Sequence, residues 1–157
     1  MAAATLLHRL LVVCAVAAFQ QRSDRFYRLP PLCAALSPAE ARENIRTIYD
    51  AVIDVRMSAE HRLEGRIVDS ICIPAQLWEH GTYLPRDAFV PDVCEQFETD
   101  CRLLCVCGDG RRSELAAQQL ANAGFSVDYI DGGLNAWAEQ SLELEVEDDG
   151  GLVGSYV

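Results

Sequence analysis

Residues 103–124 read LLCVCGDGRRSELAAQQLANAG: an apolar run, a glycine-containing loop with two arginines, then a helical repeat. Leu103-Leu104-Cys105-Val106 is the most apolar strand candidate in the chain, and an unbroken run of this kind suits a strand covered on both faces. Gly108, Gly110 and the arginine pair interrupt it. From Ser113 to Ala123 the pattern is that of a helix, and Gly124 stands where a left-handed cap ends one. Strand, short loop and helix in this order form the repeating unit of an α/β fold. Cys107 sits at the carboxyl end of the strand, the side on which open parallel sheets bind ligands.

The same alternation continues outward. Val127-Asp128-Tyr129-Ile130 reads as a strand, Asp131-Gly132-Gly133 as a turn, and Leu134 to Glu139 as a short helix. Upstream, Ser37-Pro38-Ala39-Glu40 has a capping residue, a proline at the first helical position and a glutamate three residues past the cap. That predicts a helix to about Ile48. Ala51 to Val55 is a β-branched, mostly apolar strand, and Ser58 to Glu64 is helical in composition, with Gly65 ending it. Ile71-Cys72-Ile73 reads as a strand stopped by Pro74. Phe89, Val93, Cys94 and Phe97 recur three or four apart and predict a helix from Arg86 to Phe97, with Pro91 weakening its first turn. The expected fold is α/β over residues 37–141: three layers, with a central, mainly parallel sheet flanked by helices.

Composition narrows the function. The chain has 157 residues, enough for one domain, and half are apolar. All 13 basic residues are Arg. The lack of Lys excludes a Walker-type phosphate loop and Schiff-base chemistry. A net charge of −11 argues against nucleic acid as a partner. No apolar run reaches the roughly 18–20 residues of a stable membrane span.

The charge is unevenly spread. Residues 1–36 carry four Arg against one Asp, while residues 142–157 carry five acids and no base. His8 and Arg9, the apolar run Leu10 to Phe19 and the small residues Ala15, Ala17 and Ala18 have the parts of a signal sequence. Arg22, Arg25 and Arg28 follow in a transit-like stretch. With a cut before Phe19, the arrangement resembles the two-part address of proteins sent to complex plastids. Residues 1–36 are therefore expected to be a removable targeting segment and the protein organellar. The competing reading is an ordinary N-terminal helix on a cytoplasmic or secretory-pathway protein. Leu142, Leu144 and Val146 alternate with Glu143, Glu145 and Glu147, the pattern of an edge strand or a solvated acidic tail. The tail is the reading adopted for residues 142–157. The seven Cys (14, 33, 72, 94, 101, 105 and 107) contain no CxxC and are expected to be reduced, several as small buried hydrophobes.

The loop Cys107-Gly108-Asp109-Gly110-Arg111-Arg112-Ser113 gathers three effects on one sulfur. Backbone N–H groups of a tight turn can converge into an anion nest. The helix N-terminus beyond it adds partial positive charge. Arg111 and Arg112 add permanent cations. Each stabilises negative charge on sulfur, and the anionic sulfur is the nucleophile. Asp109 is discordant, and is expected to point to solvent or to pair with an arginine. The plain alternative is a surface turn after a buried cysteine.

Cys107-x-x-Gly110-x-Arg112-Ser113, then Ala116, Leu120, Gly124-Phe125 and Asp131-Gly132-Gly133-x3-Trp137, resembles the active-site half of a rhodanese-like domain. Ile53-Asp54-Val55-Arg56, then Glu60, Gly65-Arg66-Ile67 and Ile73-Pro74, is similar to the family's first signature. There, Arg66 stands for the usual His, Val68-Asp69 for Pro-Gly and Cys72 for Asn. The resemblance covers Ser37 to Ser141. It implies a single-domain sulfurtransferase of thiosulfate type, in which Cys107 takes the outer sulfur of thiosulfate or a persulfide and passes it, as a persulfide, to a thiol acceptor. Gly108, Asp109, Gly110 and Ser113 would form the cradle, with Arg112 and Arg111 binding the anionic donor. It implies no metal or organic cofactor. Arg56 is expected to be a structural ion-pair partner of a carboxylate such as Glu60, and Trp137 to be core.

Two other classes compete. A cysteine phosphatase or arsenate reductase needs His-Cys-x5-Arg. Counted from Cys107, the loop to Arg112 is one residue short; counted from Cys105 it fits Arg111, but Leu104 holds the His position. A non-catalytic or redox-sensing module of the same fold would bind a protein partner instead, with the acidic tail available for that. A Cys105–Cys107 redox pair is geometrically awkward.

Overall fold

The computed structural model describes residues 33–146. Strands β1 (Ala35–Leu36), β2 (Ala51–Asp54), β3 (Ile71–Cys72), β6 (Arg102–Val106) and β7 (Ser126–Ile130) form one parallel sheet in the order β1-β7-β6-β2-β3. A separate antiparallel hairpin joins β4 (Gln76–Glu79) to β5 (Thr82–Pro85). The helices are α1 (Pro38–Asn44), α2 (Ser58–Leu63), α3 (Phe89–Gln96), α4 (Arg111–Asn122) and α5 (Gly133–Glu139). The expected α/β architecture is the one observed.

The central strand β6 shows why its sequence lacks polar alternation. Leu103, Cys105 and the following Cys107 face a core with Phe89 and Val93 of α3 and Ala116, Ala117 and Leu120 of α4. Leu104 and Val106 face the opposite core, with Ala41 of α1 and Leu134 and Trp137 of α5. All five of these strand-end-to-end residues are fully buried, so both faces of the run are apolar for packing reasons. Burying each large aliphatic side chain contributes about 1.5–3 kcal/mol.

Local signals account for most element boundaries. The Ser37 hydroxyl accepts from the Glu40 N–H and the Glu40 carboxylate accepts from the Ser37 N–H, a reciprocal cap on α1. The helix stops at Asn44, short of Ile48, and continues only as turns. Pro91 lies in the first turn of α3, where its missing N–H has no helical partner to lose. Trp137 is buried, and its indole N–H donates to the Glu143 carbonyl at 3.1 Å.

Four expectations change. First, residues 34–36 belong to the domain: β1 pairs with Tyr129 and Ile130, and the Ala34 N–H donates to Asp128 Oδ1 at 2.8 Å. The rest of the expected targeting segment, residues 1–32, lies outside the described residues. Second, residues 142–146 are docked rather than solvated. Arg66 and Glu145 exchange two backbone hydrogen bonds of 2.8 Å, and Leu142 and Leu144 pack on the α1–α5 core. The remainder of the acidic tail, residues 147–157, lies outside the described residues.

Third, Arg56 is a structural ion-pair partner as expected, but of Asp54 and, at 3.6 Å, of Glu64 rather than of Glu60. The Arg56 side chain is 2% exposed, donates from Nη2 to Asp54 Oδ2 at 2.8 Å and also reaches the Gly65 carbonyl at 2.7 Å. Fourth, α4 starts at Arg111 rather than Ser113, because Gly110 takes a left-handed φ of 91° and turns the chain directly into the helix.

Candidate active site

Strand β6 ends at Val106, so Cys107 leaves the ladder at the carboxyl edge of the sheet's middle strand. Its backbone is then held from below by α5. The Leu134 N–H donates to the Cys107 carbonyl at 2.8 Å and the Asn135 N–H to the Gly108 carbonyl at 2.9 Å. The peptide bonds of this loop are trans, as are all those among the described residues, so the N–H groups of Gly108 and Asp109 point the opposite way, away from α5. This approach depends on Gly133: a Cβ there would lie 2.2 Å from the Cys107 carbonyl oxygen. Gly110 is equally constrained, with a Cβ falling 2.9 Å from the Gly132 nitrogen.

The loop wraps the sulfur. Cys107 Sγ accepts from the Gly110 N–H at 3.2 Å and from the Ser113 N–H at 3.4 Å, and the Ser113 hydroxyl lies 3.4 Å away. That hydroxyl also lies 2.9 Å from the Gly110 carbonyl. It has one proton, so it donates to one of these and can turn to the sulfur when charge develops there. Cys107 and Ser113 have no exposed surface. Two N–H donors on a sulfur at a helix N-terminus, with the Ser113 hydroxyl in reach as a third, make a cradle for negative charge on that atom.

The two arginines are placed differently. Arg112 is 16% exposed and clamps Glu60 of α2 in two-pronged fashion, Nη1 to Oε2 at 3.0 Å and Nη2 to Oε1 at 2.7 Å. Its guanidinium also stands 4.9 Å from the Tyr83 ring centroid and rests against Gly108. Burial pushes the Glu60 carboxyl up, but hydrogen bonds from Arg112 and from the Met57 N–H outweigh it and hold it below the usual carboxylate range. The same ion pair raises Arg112 further into its protonated form. Arg111 is 87% exposed and pairs with Asp109, Nε to Oδ2 at 3.1 Å. Asp109 Oδ1 accepts from the Arg111 N–H and lies 3.9 Å from Cys107 Sγ.

Thus the structure gathers Cys107, Gly108, Asp109, Gly110, Arg112 and Ser113 around one sulfur and turns Arg111 outward. Two neighbours of the site had no reading in the sequence: Glu60 as the partner of Arg112, and Tyr83 on the β4–β5 hairpin. The hairpin had a signal in His80-Gly81, whose φ values of 52° and 81° are those of a two-residue hairpin turn. Cys105, the alternative nucleophile of a phosphatase loop, is fully buried inside β6, and its thiol is pushed up by burial. Among the described residues no group of three or more His, Cys, Asp or Glu is arranged to hold a metal ion.

A thiosulfate sulfurtransferase, GlpE, of Vibrio cholerae serotype O1 is 44% identical over 52 residues, 32% of this chain and 49% of that protein. The chain therefore aligns with about half the length of the curated relatives it matches. A rhodanese-related protein of Thermoplasma volcanium superposes with a TM-score of 0.57 at 26% identity, covering 73% of this chain and 99% of that one. A thiosulfate sulfurtransferase of Pseudomonas aeruginosa shares the fold, with a TM-score of 0.59 at 21% identity over 80% of this chain and 22% of that one. The profile of the Rhodanese-like domain matches residues 37–140, and the chain belongs to that family.

Proposed function

We propose that this protein is a sulfurtransferase that carries sulfane sulfur on Cys107. The observation that carries the reading is the pair of N–H donors on Cys107 Sγ, from Gly110 and Ser113, with the Ser113 hydroxyl in reach as a third, at the carboxyl end of the middle strand. In the first half-reaction the Cys107 thiolate attacks the outer sulfur of a sulfane donor. A Cys107 persulfide forms and the donor's remaining fragment departs with the electron pair of the broken S–S bond. In the second, an acceptor thiol attacks that outer sulfur and regenerates the thiolate, giving ping-pong kinetics. The cradle stabilises the negative charge carried in turn by thiolate and persulfide.

The test is intact-mass spectrometry after incubation with a sulfane donor. Wild-type protein gains one sulfur, lost again on adding cyanide or a thiol, and Cys107→Ser gains none. Retention of sulfur loading by Cys107→Ser overturns the assignment. Organellar import belongs to the same proposal: residues 1–32 fused to a fluorescent reporter carry it into a plastid, and a reporter left in the cytosol refutes that part.

A further inference from the structure

Resting on the reading of Cys107 as the nucleophile, we propose that the β4–β5 hairpin is a lid on the site, closed in this structure, which swings away before any reagent reaches the sulfur. A conflict leads to it. Cys107 has to meet a donor and then an acceptor, yet it has no exposed surface. Some wall of the site therefore moves.

Two walls are fixed. The loop is pinned from below, where the Leu134 and Asn135 N–H groups hold the Cys107 and Gly108 carbonyls and Gly133 closes in on them. On another side Cys107 shares its core with buried Val55, Ile73, Ala75 and Phe89, and a close-packed interior does not yield. The remaining wall is layered. The Arg112 guanidinium rests against Gly108, and the Tyr83 ring of β5 lies over it with 4.9 Å between guanidinium and ring centroid.

That outer layer is the part free to move. Residues 76–85 include no buried side chain, and none of them joins either core. Among the described residues no hydrogen bond ties 76–85 to the rest of the domain; the β4–β5 ladder is internal to the hairpin. A lone two-stranded hairpin has little stability of its own, so its resting place is set by the Tyr83–Arg112 contact. Trp78 backs that contact, packed edge-to-face on Tyr83 with ring centroids 4.8 Å apart. The feet of the hairpin are firm and adjacent. The Arg86 N–H donates to the Ala75 carbonyl at 3.0 Å, and the Arg86 side chain holds the Pro74 carbonyl and Asp92. Opening is thus a swing about Ala75 and Arg86 that gives up few buried contacts, the condition for a low-energy local motion.

The experiment times alkylation of Cys107 by iodoacetamide, a small neutral thiolate probe, using peptide mass. Sulfur loading from thiosulfate and from polysulfide is read on the same full-length proteins by intact mass. One variant replaces residues 76–85 by two glycines between the adjacent feet; the other, Tyr83→Ala, removes only the anchor. A site that opens as a minor population of roughly 0.1–10% reacts in proportion to that population, so the hairpin-less protein is expected to alkylate at least about tenfold faster than wild type. Tyr83→Ala is expected to give about threefold or more, and Tyr83→Phe, which keeps the ring, stays near wild type. The pH midpoint of alkylation stays put, because access changes and the thiol does not. Cys105, buried in β6, reports the fold and remains unmodified. Unchanged or slower alkylation of Cys107 overturns the lid, as does a gain explained by a shifted pH midpoint. If Cys105 becomes reactive in the hairpin-less protein, its fold is lost and the Tyr83→Ala result decides alone. Faster alkylation with no sulfur loaded on any of these proteins leaves the lid standing and overturns the sulfurtransferase reading.

Discussion

Cys105 and Cys107 stand two residues apart on the same face of the same run, and both are fully buried. Their surroundings are opposite. Cys105 lies within β6, where its backbone is paired to Ile53 on one side and Tyr129 on the other, and its sulfur sits among hydrocarbon. Burial pushes its thiol up, reinforced by Cys33, Cys107 and Asp128. Cys107 is the first residue beyond the ladder. The chain there is free to curl, and the N–H groups of Gly110 and Ser113 turn onto the sulfur. Inside a sheet, N–H groups are spent on neighbouring strands; past its end they are available to a side chain. One step of two residues thus separates a packing cysteine from a candidate nucleophile.

The largest test of that contrast exchanges each thiol. Cys107→Ser is expected to abolish sulfur loading, while Cys105→Ala retains it to within a few-fold and loses about 1 kcal/mol of stability through the cavity it leaves. Intact mass and urea unfolding measure the two. If Cys105→Ala also abolishes loading at unchanged fold, the division of labour is wrong. Gly133→Ala comes next. The added Cβ meets the Cys107 carbonyl at 2.2 Å, and Gly133 holds a φ of 58°. Backbone cannot yield cheaply, so a loss of about 3 kcal/mol or more in urea is expected, with loading falling in parallel.

Ser113→Ala is milder and separates the cradle from the fold. The Gly110 carbonyl keeps the Glu114 N–H at 3.0 Å as a second partner, so removing the hydroxyl leaves no orphaned acceptor there. Stability is expected to fall by no more than about 1 kcal/mol. The rate of sulfur loading is expected to drop roughly ten- to hundredfold, because one donor to the developing charge is gone. Stopped-time mass measurements give the rate; an unchanged rate shows the hydroxyl serves only the Gly110 turn.

Most of this contrast was legible in the sequence for a physical reason. Leu103 to Val106 is apolar on successive residues because both sheet faces are covered, and the two glycines with the arginine pair mark the end of the strand by breaking that rule. The Ser37–Glu40 cap was equally local, since both partners lie within one helical turn. What stayed hidden depends on contacts distant in sequence. Arg56 has carboxylates within reach at Asp54, Glu60 and Glu64, and only the fold sends Glu60 across to Arg112, 52 residues away. The β1 strand is two residues long and exists because β7 offers it an edge. The hairpin escaped notice because Leu77-Trp78 and Tyr83-Leu84 do not alternate with polar residues, and His80 stands where Asn or Asp would announce the turn.

The smallest expected effect concerns pH and the thiol that does no chemistry. Cys105 has an ordinary value of 9.0, and burial raises it in the folded protein. A group raised on folding favours the fold while protonated. Its contribution is therefore complete below about pH 9 and drains away as pH rises toward the folded value, by at most about 1.4 kcal/mol per pH unit for one proton. Tyr49, Cys33, Cys72 and Tyr129 are raised as well and give the whole protein an alkaline decline. That background is common to wild type and Cys105→Ala, so the difference between their stability curves isolates Cys105. At neutral pH wild type is the more stable, by the cavity term. Above about pH 9 its curve falls more steeply by up to one proton, and the advantage shrinks and then reverses. Urea midpoints at stepped pH measure this. Parallel curves for the two proteins would mean that Cys105 ionises as readily folded as unfolded, and the sulfur inside β6 would no longer be the inert partner of Cys107.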